Sequence, residues 1–269
     1  MSSNPKRVQQ RFESLFGGNN TNQWRQAKSS IVTSKQLSKS EATLFENDLK
    51  LDSLDLYFKG LLSLSEAINS INNHLYSWAT IKLYYSVFYF LSCSLACYGI
   101  ALVRRMRELY YVKAKYGELF HRTRDNTDHK GTIFLFQDLF NTTDKLQTNQ
   151  ITGENVYEWL MKRREEVNYK DREFHEPTEP DFWVEISRHV KSGKFEDLIE
   201  TYINDNQFIY CFIDDHACLA MPIKRMQLTK MGLINNVTTN ILTNDKKTCI
   251  EQLLLKSNTK LHIINEFIL

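Results

Sequence analysis

Apolar positions along the chain repeat mostly at helical spacing. Leu54, Tyr57, Leu61, Leu64 and Ile68 fall three and four residues apart, the period of one face of an α-helix. The pattern predicts a helix from Asn4-Pro5 to about Phe16, stopped at Gly17-Gly18, and then a polar linker through NNTNQWRQAKSS. A second helix, capped by Ser38 or Ser40, reaches Leu49. Asp52 or Ser53 is expected to cap a separate third one. A long apolar helix follows from about Leu75 to Tyr98. Between Ile100 and Arg122 the alternation is nearer period two, with Lys115 to Gly117 as a turn, which predicts a hairpin or ordered arm. Thr127 or Asp128 caps a helix to about Phe140, Asn141 to Gly153 form a polar loop, and Glu154 to Tyr169 form a further helix.

Glu176-Pro177 and Glu179-Pro180 mark the expected boundary of the helical part. Beyond it the reading is a helix from Pro180 to Gly193 and a short one to Asn204. QFIYCFI and ACLAMPI then read as a strand pair around Asp214-Asp215-His216, with a helix from Thr248 to Lys256 and a last strand, LHIINEFIL. Asp214, Asp215 and His216 are also metal-ligand types, although turn residues explain them more simply. The fold class is therefore mainly α: an N-terminal helix and loop (1–35), a helical bundle (36–176) with an inserted basic arm (100–124), and a small α+β appendage (177–269).

Composition narrows the function classes. The 269 residues carry a net charge of +2, so nucleic-acid affinity must come from a local patch. Five cysteines, without CxxC spacing, fit a reducing cytoplasm, and Cys93 and Cys97 read as small hydrophobes within a helix. The charged N-terminus predicts no secretory leader. Leu83 to Val103, about 21 uncharged residues, is long enough to span a bilayer. Its four tyrosines, three serines and one glycine fit better with the buried spine of a bundle, and membrane anchoring is the alternative. No P-loop, dinucleotide, serine-hydrolase or zinc-protease motif is present.

Three strings taken in order resemble the HEPN domain. The first is Ile81 to Tyr89 within WATIKLYYSVFYF, the second is His129-Lys130-Gly131 opening TIFLFQDLF, and the third is Arg164-Glu165-Glu166-Val167-Asn168-Tyr169. Tyr84, Tyr85 and Phe88 match the family's central helix, whereas Lys82 replaces its usual Arg and Tyr89 its usual His. The resemblance covers about residues 50 to 175. It implies an antiparallel helical bundle in a prokaryotic defence or toxin–antitoxin system, binding RNA, a nucleotide or a protein encoded nearby, and forming a homodimer. It implies no cofactor, metal or membrane. The same tyrosines at helical spacing also suit an ordinary core.

Active members of that family are metal-independent endoribonucleases with Arg, four to six residues, then His. Arg124 and His129 have this spacing, with the acidic Asp125 after the Arg. Arg124 would hold a phosphate and His129 would act as acid or base. In active members the motif lies on or beside the late helix, where Arg164 to His175 is too long and Arg172 to His175 too short. A capped helix start with a solvated Arg fits the same residues. The arm adds Arg104, Arg105, Arg107, Lys113, Lys115, Arg122 and Lys130 interleaved with tyrosines, a chemistry suited to RNA or to a protein-docking face. The alternative to a binding enzyme is a non-catalytic adaptor docking on a larger ATPase or nucleotidyltransferase.

Overall fold

A computed structural model describes residues 6–17, 29–176, 178–257 and 259–268. The expected helix start at Asn4-Pro5, Gly18, most of the polar linker and Pro177 lie outside them. The described chain is mainly helical with a small sheet. It divides into two compact units. The first is Met1–Leu56, Leu91–Leu139 and Gly232–Thr239; the second is Tyr57–Phe90, Phe140–Met231 and Asn240–Leu269. Both units thus draw on sequence from either side of residue 177, where the proline pattern suggested a boundary.

In the first unit, α1 (Arg7–Leu15) and α2 (Ser29–Ser34) precede α3 (Lys39–Asn72). Ser38 and Glu41 form a reciprocal capping box: the Ser38 amide donates to Glu41 Oε2 at 2.8 Å, and the Glu41 amide to Ser38 Oγ at 3.3 Å. The two helices expected between residues 38 and 70 are one helix of 34 residues, about 50 Å long. Asp52 does not start a new helix. It lies buried in mid-α3 and accepts the Arg7 and Val8 amides, each at 3.0 Å, so it caps α1 instead.

The next helix, α4 (Tyr76–Cys97), runs antiparallel to α3. Within the second unit Tyr57 meets Phe90 and Glu66 meets Lys82. Among the described residues α4 is the one helix long and apolar enough to cross a bilayer, and 78% of its most apolar window is buried in the protein. The uncharged run 83–103 is not one span. The helix ends at Cys97, Gly99 turns the chain at φ +75°, and β1 begins at Ile100.

Strands β1 (Ile100–Arg105), β2 (Glu108–Lys113) and β3 (His121–Arg122) form an antiparallel sheet in chain order; a hairpin is present as expected, but its tight turn is Met106-Arg107, and Lys115 to Gly117 lie in the longer connection from β2 to β3. Gln9 of α1 covers the β1 edge, exchanging two 2.8 Å hydrogen bonds with the Arg104 backbone. Helix α5 (Asp128–Phe140) follows. Its Gly131 is required by space: a Cβ there would lie 2.4 Å from Leu109 Cδ2 and 2.7 Å from the Asp125 carbonyl oxygen. The small sheet of β4 (Gln150–Ile151) and β5 (Glu154–Asn155) leads into α6 (Val156–Glu165), capped by Asn155, whose side chain accepts the Tyr157 amide.

The C-terminal segment departs from expectation. After α7 (Val184–Lys191) and α8 (Phe195–Asn204), both as expected, the chain stays helical through α9 (Asp214–Asn236), α10 (Asn244–Lys256) and α11 (Leu261–Ile268). No strand occurs among its described residues, so the α+β appendage is corrected to an all-helical segment. QFIYCFI contains a short 3-10 turn, Ile209–Phe212, and ACLAMPI lies inside α9 despite Pro222. Ala217 to Met221, Ile223 and Met226 are all buried, and an apolar run buried on all sides carries no period by which to separate strand from helix. Asp214 and Asp215 are a helix's acidic first turn, favourable at the positive end of its dipole. In α11, the buried residues Ile263, Ile264 and Phe267 follow helical spacing.

Candidate functional site

The first and third of the family-like strings meet within the second unit, whereas His129-Lys130-Gly131 lies in the first. Arg164 lies in the last turn of α6, and the chain then continues as a π turn, Glu166–Lys170, closed by the Asp171 amide donating to the Glu166 carbonyl at 3.0 Å. Five-residue closure stacks positions five apart, which an α-helix would turn about 140° away from each other. Tyr169, five residues after Arg164, therefore covers the guanidinium at 4.9 Å. Tyr84 and Tyr85 of α4 complete the enclosure at 5.1 and 5.7 Å.

This guanidinium has few partners. Its one hydrogen bond among the described residues is a long one, 3.4 Å, to the Tyr85 hydroxyl. Its Nε is buried without an acceptor, and no carboxylate of the described residues lies within ion-pair distance. The neighbouring Arg163 explains why. It takes Glu166 at 2.8 Å and lies 3.9 Å from Asp214, leaving Arg164 to the rings. Burial works against the Arg164 charge, but the Tyr85 hydroxyl and the adjacent tyrosines more than offset it, so its pKa stays above the ordinary value. Burial pushes the Tyr84 hydroxyl up and keeps it neutral. Arg164 is 9% exposed, whereas Tyr169 is 68% exposed. Tyr89 is partly exposed 6.3 Å from Tyr85, with Lys59 Nζ 5.9 Å from its ring. Lys82, at the family's Arg position, turns instead to Glu66 and Ser70.

A buried cation without a counter-ion is costly unless something supplies the charge. Three rings surround this one, and among the described residues most of its N–H donors have no acceptor. That arrangement suits a phosphate oxygen, and the exposed Tyr169 ring suits a base.

Arg124 and His129 lie in the first unit. Arg124, in the loop before α5, rests 4.2 Å from the Phe134 ring centre and 3.9 Å from Asp138, and His129 sits half-buried in the first turn. The basic arm is largely engaged. Arg105 is buried at 6% exposure and already paired with Glu108 at 3.2 Å. Glu108 also takes Arg122 and the Tyr110 hydroxyl. Arg104 is held by Asp128 at 2.6 Å and by the Asn126 carbonyl. Arg107, Lys113, Lys115 and Lys130 are exposed. Among the described residues no three His, Cys, Asp or Glu side chains converge as a metal site.

Arg164 and the tyrosines were in view in the sequence as parts of a family-like string; their enclosure was not. Its one local signal is the five-residue interval from Arg164 to Tyr169, which needs a π turn to matter. No protein-family profile, no curated protein and no solved structure matches this chain.

Proposed function

We propose that this chain is a HEPN-like component of a prokaryotic defence or toxin–antitoxin system that binds single-stranded RNA at the Arg164 cluster. The observation that carries the reading is the enclosed Arg164 guanidinium, which has no carboxylate within ion-pair distance among the described residues and is lidded by the exposed Tyr169. A guanidinium fork recognises phosphate, and a free aromatic face accepts an unpaired base.

Binding is favoured here over cleavage. Arg124, the residue that would hold a scissile phosphate, already faces the Phe134 ring and Asp138. That engagement supports the non-catalytic adaptor as the second reading, with the RNA-binding chain presented to a larger effector. The test is fluorescence anisotropy with a labelled single-stranded RNA, followed by gel analysis of the same RNA in the presence of a chelator. Saturable binding with intact RNA is the expected result. Binding unchanged in both Arg164→Gln and Tyr169→Ala would reject the site. Chelator-insensitive cleavage lost in His129→Ala would replace the binding role with a ribonuclease.

A further inference from the structure

We propose that a cleft in the first unit is a binding site for a small phosphorylated molecule the size of one nucleotide. The cleft measures about 310 Å³, and among its lining residues are Glu46 and Lys50 of α3, Tyr98 at the end of α4, and Lys113 and Lys115 around the end of β2. That volume matches the lower end of ligand pockets, roughly 300 Å³.

Three lysines face one carboxylate. Lys50 pairs with Glu46 at 2.7 Å, whereas Lys113 and Lys115 have no carboxylate within ion-pair distance among the described residues. The carbonyls at the end of α4 contribute only about half a negative charge, so the cleft stays net positive. The loop carrying the lysines is held at both ends. The Ala114 amide donates to the Gly99 carbonyl at 2.8 Å, the Lys115 amide to the Lys113 carbonyl at 2.7 Å, and the Gly117 amide to the Leu37 carbonyl at 2.9 Å. A segment fixed in this way has little freedom left to lose on binding. Tyr98, half exposed at the rim, offers a ring face to a base or sugar. The limited volume favours one phosphorylated unit over a strand, which needs a groove tracking successive phosphates.

None of the residues lining the cleft belongs to the Arg164 cluster, so the two readings fail separately. The experiment is calorimetric titration of the full chain with AMP, with ribose 5-phosphate and with adenosine. AMP is expected to saturate at one site, with adenosine at least about tenfold weaker and the double variant Lys113→Glu/Lys115→Glu at least about tenfold weaker for AMP. Both lysines are exposed, so the fold should survive, as thermal melting would verify. The neutral pair Lys113→Gln/Lys115→Gln should be intermediate. Absence of saturable heat with both AMP and ribose 5-phosphate would overturn the proposal, as would unchanged AMP affinity in the charge-reversed variant. It would also fall if AMP failed to bind while the reversal abolished single-stranded RNA binding, because the lysines would then belong to a strand path.

Discussion

Arg225→Met should unfold the protein at markedly lower denaturant. In the second unit, Arg225 Nη1 donates to Asp144 Oδ1 at 2.9 Å and to the Tyr157 hydroxyl oxygen at 3.2 Å, and its Nε donates to Thr229 Oγ1 at 3.2 Å. The Tyr157 hydroxyl in turn donates to the other Asp144 oxygen. The Arg225 and Asp144 side chains are only 6% and 4% exposed. Removing the arginine leaves a buried carboxylate whose remaining side-chain donor among the described residues is Tyr157, a change that costs about 3–5 kcal/mol. With a urea dependence near 3 kcal/mol per molar, the midpoint should fall by about 1 M or more, read by circular dichroism. The triple variant Arg225→Met/Asp144→Leu/Tyr157→Phe replaces the whole network with apolar groups. It should recover much of that loss, because no charge is then stranded. A midpoint shift below about 0.3 M in the single variant, or a triple variant weaker than the single one, would refute the reasoning.

Other outcomes follow from particular contacts. Gly60→Ala gains about 1 kcal/mol of helix propensity but sets a Cβ 2.5 Å from a ring carbon of buried Phe90; urea titration should show a net loss of about 1–2 kcal/mol. Gly131→Ala, pressed against the Asp125 backbone, should also lower the melting temperature, and an unchanged value would mean that the loop before α5 yields freely. Tyr84, Tyr157 and Tyr202 are held above the ordinary tyrosine range by burial. Above about pH 10 the unfolded chain releases those protons and the folded one keeps them, so stability falls as pH rises, by up to about 1.4 kcal/mol per unit for each group. Melting temperatures measured across that range should drop steeply, and a flat profile would contradict their burial.

The helical elements that lie half in and half out of the core were legible, because periodicity reports a face. That holds for α5 through α8; the length of its apolar run gave α4, and the two-residue period gave the hairpin. Asp52 misled because a carboxylate in mid-helix looks the same in sequence whether it caps its own helix or, as here, one 44 residues away. ACLAMPI misled because a near-continuous apolar run carries no clear face, and burial rather than local preference settles it; LHIINEFIL did carry a helical face in Ile263, Ile264 and Phe267, which the strand reading passed over. The basic arm was legible as a charge pattern, but sequence does not show that Glu108 sits between Arg105 and Arg122 or that Asp128 reaches Arg104. What distinguishes Arg164 from the neighbouring Arg163 is a contact map, since the two are adjacent on one helix.

The salt dependence of RNA binding tests the central claim most directly. If Arg164 engages a phosphate, Arg164→Gln should weaken single-stranded RNA binding and lower the slope of log affinity against log salt by about 0.7, one phosphate's worth of released counterions. An Arg164→Gln variant that folds normally and binds with the wild-type slope would contradict the account.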